Sequence, residues 1–204
     1  MSDYLKWTVA GLEWLYLYFE KDHSVATERW AINPHAASHS LELLLKAIVV
    51  KWKSHDSFAM GYSHNLSKII SDIISAKIMS DQLKYDANLF SEVDIELKKT
   101  PGYAHDVCMR LGVSYGEYEY YVLIKYCGDL KYLGAPLKKI NGHIVNIPIE
   151  YPNLYLCGEI RKILRYLSPD PADLNYNSII DRFRQMKIDQ PWNAELLENN
   201  FIKT

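Results

Sequence analysis

The sequence predicts an all-α protein, an up-and-down helical bundle with a small β-hairpin inserted near residues 137–147. Apolar residues recur every three or four positions through most of the chain, which is the period of an amphipathic helix. Two such helices within residues 34–74 are joined by so short a connection that they should pack antiparallel. The dipeptide Asn141–Gly142, between two short apolar stretches, is a strong signal for a hairpin turn.

The helix pair at 34–74 has the clearest signals. Asn33 is a favourable N-cap, and Pro34 suits the first helical position, where its missing N–H costs nothing. Residues 54–62 are predicted to form a loop, and the second helix of the pair begins near Ser63–Asn65. The apolar faces of the two helices comprise Ala37, Leu41, Leu44, Leu45, Ile48 and Trp52, then Leu66, Ile69, Ile70, Ile73 and Ile74.

The other elements are predicted from the same periodicity and from capping and breaking residues. A first helix has one apolar side formed by Leu5, Val9, Leu12, Tyr16 and Phe19. A later helix is capped by Ser80 and carries Leu83, Phe90, Val93 and Leu97. After a connection over 100–116, further helices are predicted near 153–167 and 174–187, followed by a short helix after Pro191. Residues 117–133 combine a strand-like composition with a helical apolar face, and we favour a helix.

Length and composition predict one folded domain over residues 1–204, with core bundle helices in 1–100 and further helices and the hairpin in 101–204. The formal charge of −2 provides no global positive field for nucleic acid. Three widely separated cysteines suggest neither disulfides nor a zinc site. Charged residues interrupt the apolar positions near the start, so we expect no signal peptide, no membrane partner and a cytoplasmic protein.

The helix pair also carries a family resemblance. The string from Ala37 to Ile48 (ASHSLELLLKAI), followed by Tyr62 to Leu66 (YSHNL), resembles the HEPN superfamily, with its Glu-x-x-x-Lys-Ala helix core and a His–polar–Leu start to the next helix. The resemblance implies a helical bundle that is commonly dimeric. Many members are metal-independent ribonucleases, and others are non-catalytic binding or assembly modules.

The chain departs from the catalytic pattern of that family, which is Arg-x(4–6)-His near the start of a late helix. There the imidazole acts as general acid or base, and the guanidinium stabilises charge on the phosphate. None of the arginines after the helix pair has a histidine at that distance downstream; these are Arg110, Arg161, Arg165, Arg182 and Arg184. Arg29 and His35 satisfy the spacing, although they precede the predicted second helix. The usual nuclease site is therefore not expected.

Candidate site residues lie mainly in the helix pair. His35, His39 and Glu42 stand at i, i+4 and i+7, so they point to roughly one side of a helix and offer ligands for zinc or iron. His39, Glu42, Lys46 and His64 occupy the family's recognisable positions and form a candidate ligand-facing cluster. The plainer interpretations are a helix-surface ion pair between Glu42 and Lys46 and hydrogen-bonded structural histidines.

Two further groups offer weaker alternatives. Arg161, Lys162 and Arg165, with Arg182 and Arg184, are positioned to contact phosphates, but nearby acidic residues favour a solvated helix face. The tyrosines concentrated between Tyr115 and Tyr132 are able to stack on bases, but they more often serve as core residues.

These observations favour a HEPN-like, non-catalytic binding or assembly module, with a homodimer and RNA, nucleotide or protein as expected partners and with no cofactor or metal. One alternative is a metal-independent ribonuclease that uses a relocated site at Arg29 and His35 or the histidine cluster. Another is a metal-dependent hydrolase that uses His35, His39 and Glu42.

Overall fold

The structure is a computed structural model that describes residues 3–19, 29–79, 83, 85–99, 104–126, 137–140, 143–146, 154–170 and 172–185. Within these ranges the chain is largely α-helical, as predicted. The helices are α1 (Asp3–Phe19), α2 (Arg29–Lys53), α3 (Ser57–Met60), α4 (Leu66–Ser75), α5 (Ala87–Lys99), α6 (Ala104–Leu111), α7 (Tyr115–Tyr126), α8 (Leu154–Leu167) and α9 (Leu174–Gln185). Two short strands, β1 (Leu137–Ile140) and β2 (His143–Asn146), pair antiparallel, with Leu137 opposite Asn146.

The long helix α2 is the centre of the fold, and α1 packs along it. Gly11 allows the two backbones to approach closely, because a Cβ at this position would lie 2.8 Å from Leu44 Cγ. In the same region the Ser40 hydroxyl donates a hydrogen bond of 2.8 Å to the Gly11 carbonyl oxygen. This contact sets where the aromatic residues of α1 lie along α2.

Two boundaries in the helix pair differ from the sequence prediction. The helix predicted to begin at Pro34 begins five residues earlier, at Arg29, so Asn33 is not its N-cap and Pro34 lies inside the helix, past its first turn. The loop predicted at 54–62 contains the single turn α3. The start of α4 is confirmed, with Asn65 as the N-cap whose side chain accepts a hydrogen bond from the Lys68 amide.

The region after α4 also differs from the prediction at particular residues. The fourth predicted helix begins at Ala87, because Asp86 supplies the cap: its Oδ1 accepts hydrogen bonds from the amides of Asn88 at 2.8 Å and Leu89 at 3.2 Å. The connection predicted at 100–116 contains α6. Of the ambiguous stretch 117–133, residues 117–126 are helical as favoured and the remainder lies outside the described residues. The Ser114 hydroxyl accepts a hydrogen bond from the Glu117 amide at the start of α7.

The helices α8 and α9 match the predicted positions, and α8 packs against α2 and α7. Lys51 of α2 closes the end of α8, since its Nζ donates to the carbonyl oxygens of Tyr166 and Leu167 at 2.8 Å each. The predicted Ser80 cap, the turn at Asn141–Gly142 and the short helix after Pro191 lie outside the described residues.

The core is a continuous cluster of buried apolar side chains from α1, α2, α4, α7, α8 and α9. It includes three tyrosines of α7, since Tyr118, Tyr120 and Tyr121 are buried. Of the helices in the described ranges, none combines the length and the apolar character needed to cross a membrane.

Candidate functional site

The carboxylate of Glu42 is the centre of a buried polar cluster in the middle of α2. Its Oε1 accepts hydrogen bonds from Lys46 Nζ at 2.7 Å and His64 Nδ1 at 2.8 Å, and its Oε2 lies 3.2 Å from His39 Nδ1. His39, Glu42 and Lys46 converge because they are separated by three and four residues on one helix. His64 joins them from the segment that precedes α4.

The backbone before α4 directs His64 toward Glu42. Ser63 has a positive φ of 50°, an uncommon conformation for a residue with a side chain. Two residues later Asn65 caps α4. The left-handed residue and the cap therefore fix the direction from which His64 meets α2.

The low solvent exposure of Glu42 and Lys46 distinguishes this cluster from a surface ion pair. The side chain of Glu42 is only 1% exposed and that of Lys46 is 7% exposed. The interpretation of Glu42 and Lys46 as a helix-surface ion pair is therefore wrong, because α1 and the segment before α4 cover this side of α2. The imidazoles retain access to solvent, at 22% for His39 and 35% for His64.

The charge state of Glu42 follows from this geometry. Burial alone would raise the pKa of the Glu42 carboxyl. The hydrogen bonds from His39, Lys46 and His64 outweigh burial and hold the pKa well below its ordinary value of 4.5. Glu42 is therefore an anion at neutral pH.

The hydrogen bond to Glu42 also fixes the proton of a neutral His39 ring. Because the carboxylate accepts from Nδ1, the neutral ring carries its proton there, and Nε2 holds the lone pair. His39 is thus oriented by a carboxylate while part of its ring reaches the surface.

Aromatic side chains of α1 surround the cluster. Trp14 packs edge-on against both His35 and His39, with ring centroids 5.0 and 4.7 Å away, and those two imidazoles stack on each other at 5.7 Å. The Lys46 ammonium lies 5.6 Å from the centroid of the Trp7 ring. Neither tryptophan was among the site residues predicted from the sequence, although their seven-residue spacing places them on one face of α1.

The structure gives less support to the pair Arg29 and His35. Both belong to α2, because this helix begins at Arg29 and not at Pro34 as predicted. The His35 ring stacks against that of His39, with centroids 5.7 Å apart.

Three of the other basic candidates, Lys162, Arg182 and Arg184, contact side chains of the protein. In the described ranges, no group of three or more histidine, cysteine, aspartate or glutamate side chains is placed to hold a metal ion. Lys162 pairs with Glu159 at 2.6 Å, and Arg184 pairs with Asp181 at 2.8 Å. The Arg182 guanidinium lies 4.2 Å from the Tyr16 ring centroid.

Comparison with protein-family models, with curated proteins and with solved structures finds no match to this chain.

Proposed function

We propose that this protein is a HEPN-like binding module, without the family's usual catalytic pair, that binds a phosphate-bearing ligand, a nucleotide or RNA, at His39 and His64. One observation carries the proposal: two part-exposed imidazoles are held by a single buried carboxylate whose charge Lys46 already balances. Protonation of either imidazole therefore gives the cluster a net positive charge at the surface.

Imidazolium groups suit an anionic ligand because each offers a charge-assisted N–H donor. Their orientation is fixed before binding, which lowers the entropy lost when the ligand is held. Trp14 beside His35 and His39 adds an aromatic edge, of the kind that contacts a base. The dimer expected from the family resemblance is part of the same proposal.

Binding by single variants tests the proposal. We expect His39→Ala and His64→Ala to weaken the binding of a fluorescein-labelled RNA oligonucleotide and of AMP by about tenfold each, as for one lost charge-assisted hydrogen bond. His55→Ala is the matched control, because His55 is exposed and hydrogen-bonds to Ser57, two residues along the chain. Fluorescence anisotropy provides the readout for all variants under one buffer condition. Equal affinity in all variants would refute the proposal.

A ribonuclease is the second candidate, and one feature favours it. Each of two imidazoles is paired with a carboxylate, which is how general acid–base histidines are oriented. The test incubates wild type, His39→Ala and His64→Ala with labelled RNA in the presence of EDTA. The binding module predicts a dimer that leaves the RNA intact, whereas cleavage that both substitutions abolish would select the ribonuclease.

A further inference from the structure

The segment between α2 and α4 carries His64, and it is tied to the rest of the protein at several points. Residue Ser54 at its start and Ser63 near its end both have positive φ, at 57° and 50°. Tyr62 donates a hydrogen bond of 2.8 Å to Asp72 of α4. Where His64 lies thus depends on how the whole segment is held.

A contact with α1 provides one of these ties. Trp7 Nε1 donates a hydrogen bond of 2.7 Å to Asp56 Oδ1, across 49 residues of chain. Asp56 is the N-cap residue of α3, where an aspartate normally accepts a hydrogen bond from its own helix. Here its side chain makes no capping hydrogen bond, and its carboxylate bonds to Trp7 instead.

Trp7 also reaches the polar cluster directly, since its ring lies beside the Lys46 ammonium. One indole therefore touches the cation that balances Glu42 and also holds the segment that bears His64. Trp14, on the same face of α1, packs against His39. Gly11 and its close contact with α2 lie between the two tryptophans.

We infer that Trp7 and Asp56 are positioning residues for His64: they hold its segment against α1 so that the imidazole meets Glu42, while Trp14 does the same for His39. This inference rests on the proposed function in that His64 is the ligand-binding group. It assigns α1 a specific part in the site, with one tryptophan for each imidazole.

Nitrogen-15 NMR of the histidine rings tests the inference without any ligand. Trp7→Phe keeps an aromatic ring but removes the donor, and Asp56→Ala removes the acceptor. In both variants we expect the His64 nitrogen shifts to move toward those of a free imidazole, with the His39 shifts unchanged. Trp14→Phe is the reciprocal control and should move the His39 shifts while leaving those of His64 unchanged.

Asp56→Asn separates the hydrogen bond from the charge, because the asparagine oxygen still accepts from Trp7. It should restore the wild-type His64 shifts, and the double variant Trp7→Phe/Asp56→Ala should resemble either single variant. Unchanged His64 shifts in both single variants would overturn the inference, as would equal changes at both histidines.

Trp7→Phe should also weaken RNA or AMP binding by about as much as His64→Ala, near tenfold. If neither the wild-type protein nor any variant binds RNA or AMP, the proposed function fails. The NMR result still decides whether Trp7 and Asp56 position His64.

Discussion

His64 Nδ1 lies 2.8 Å from Glu42 Oε1, although the two residues are 22 positions apart and belong to different parts of the helix pair. The same oxygen accepts the hydrogen bond from Lys46. A single buried carboxylate thus links the middle of α2 to the segment before α4. Its removal should affect both the stability of the fold and the placement of the histidines.

Glu42→Leu is expected to destabilise the protein by about 3–5 kcal/mol, because it leaves the buried Lys46 ammonium without its counter-charge. The double variant Glu42→Leu/Lys46→Met should recover more than half of that loss, since a well-packed apolar pair replaces a buried ion pair at little cost. Urea denaturation measures both values, with Glu13→Gln as the exposed control. A double variant as unstable as Glu42→Leu would contradict this account.

Glu42 also predicts how stability depends on pH. Its pKa in the folded protein is below the ordinary value of 4.5, so the unfolded chain binds the proton more readily. The contribution of the Glu42 carboxylate to the free energy of unfolding is therefore fully present above about pH 5, and it is lost progressively as the pH falls below 4.5. In Glu42→Gln the free energy of unfolding should fall less steeply between pH 5 and pH 3 than in wild type or Glu13→Gln. Parallel curves for all three proteins would exclude Glu42 as the source.

The helix pair could be predicted from sequence because its signals are local. Asn65 and the apolar period of α4 lie within a few residues of each other, and the convergence of His39, Glu42 and Lys46 follows from helix geometry alone. The family resemblance groups His64 with Glu42, and the short loop allows His64 to fold back along α2, but nothing in the spacing of residues 42 and 64 determines their contact.

The rest of the site depends on contacts between distant residues, which periodicity does not show. The Lys46 ammonium lies beside the ring of Trp7 in α1, and the hydrogen bond between Trp7 and Asp56 crosses 49 residues. Similarly, a helix starting at Pro34 agreed with local capping preference, but α2 begins five residues earlier, so Pro34 lies past its first turn, where local preference does not favour proline. Local sequence rules thus predicted where the helices lie along the chain better than which helices and side chains contact one another.

Gly11 should tolerate no larger side chain. A Cβ there would lie 2.8 and 2.9 Å from two atoms of the Leu44 side chain, so Gly11→Ala should cost about 1–3 kcal/mol through overpacking. Gly158→Ala is the matched control within helix α8, where a Cβ would meet nothing within 4 Å; it should stabilise by about 0.5–1 kcal/mol. Thermal unfolding should shift in opposite directions in the two variants. A stabilising Gly11→Ala would show that α1 has room to move on α2.

The adjacent tyrosines Tyr120 and Tyr121 provide a last contrast, because both are buried but differ in hydrogen bonding. In the described residues the Tyr120 hydroxyl has no hydrogen-bond partner, whereas the Tyr121 hydroxyl accepts a hydrogen bond of 2.9 Å from the Asp86 amide at the start of α5. Tyr120→Phe should therefore be neutral or stabilising, since it removes a polar atom buried without compensation.

Tyr121→Phe should cost about 0.5–1.5 kcal/mol, because it removes the acceptor from the Asp86 amide and loosens the start of α5. Urea denaturation of both variants gives the free energies, and amide hydrogen exchange at Asp86 should accelerate only in Tyr121→Phe. A larger loss in Tyr120→Phe than in Tyr121→Phe would mean that the Tyr120 hydroxyl has a partner in solution, such as a bound water molecule. Tyr120 of α7 also contacts the Tyr155 ring of α8, with centroids 5.3 Å apart. Such a water molecule would therefore place a polar contact where α7 packs against α8.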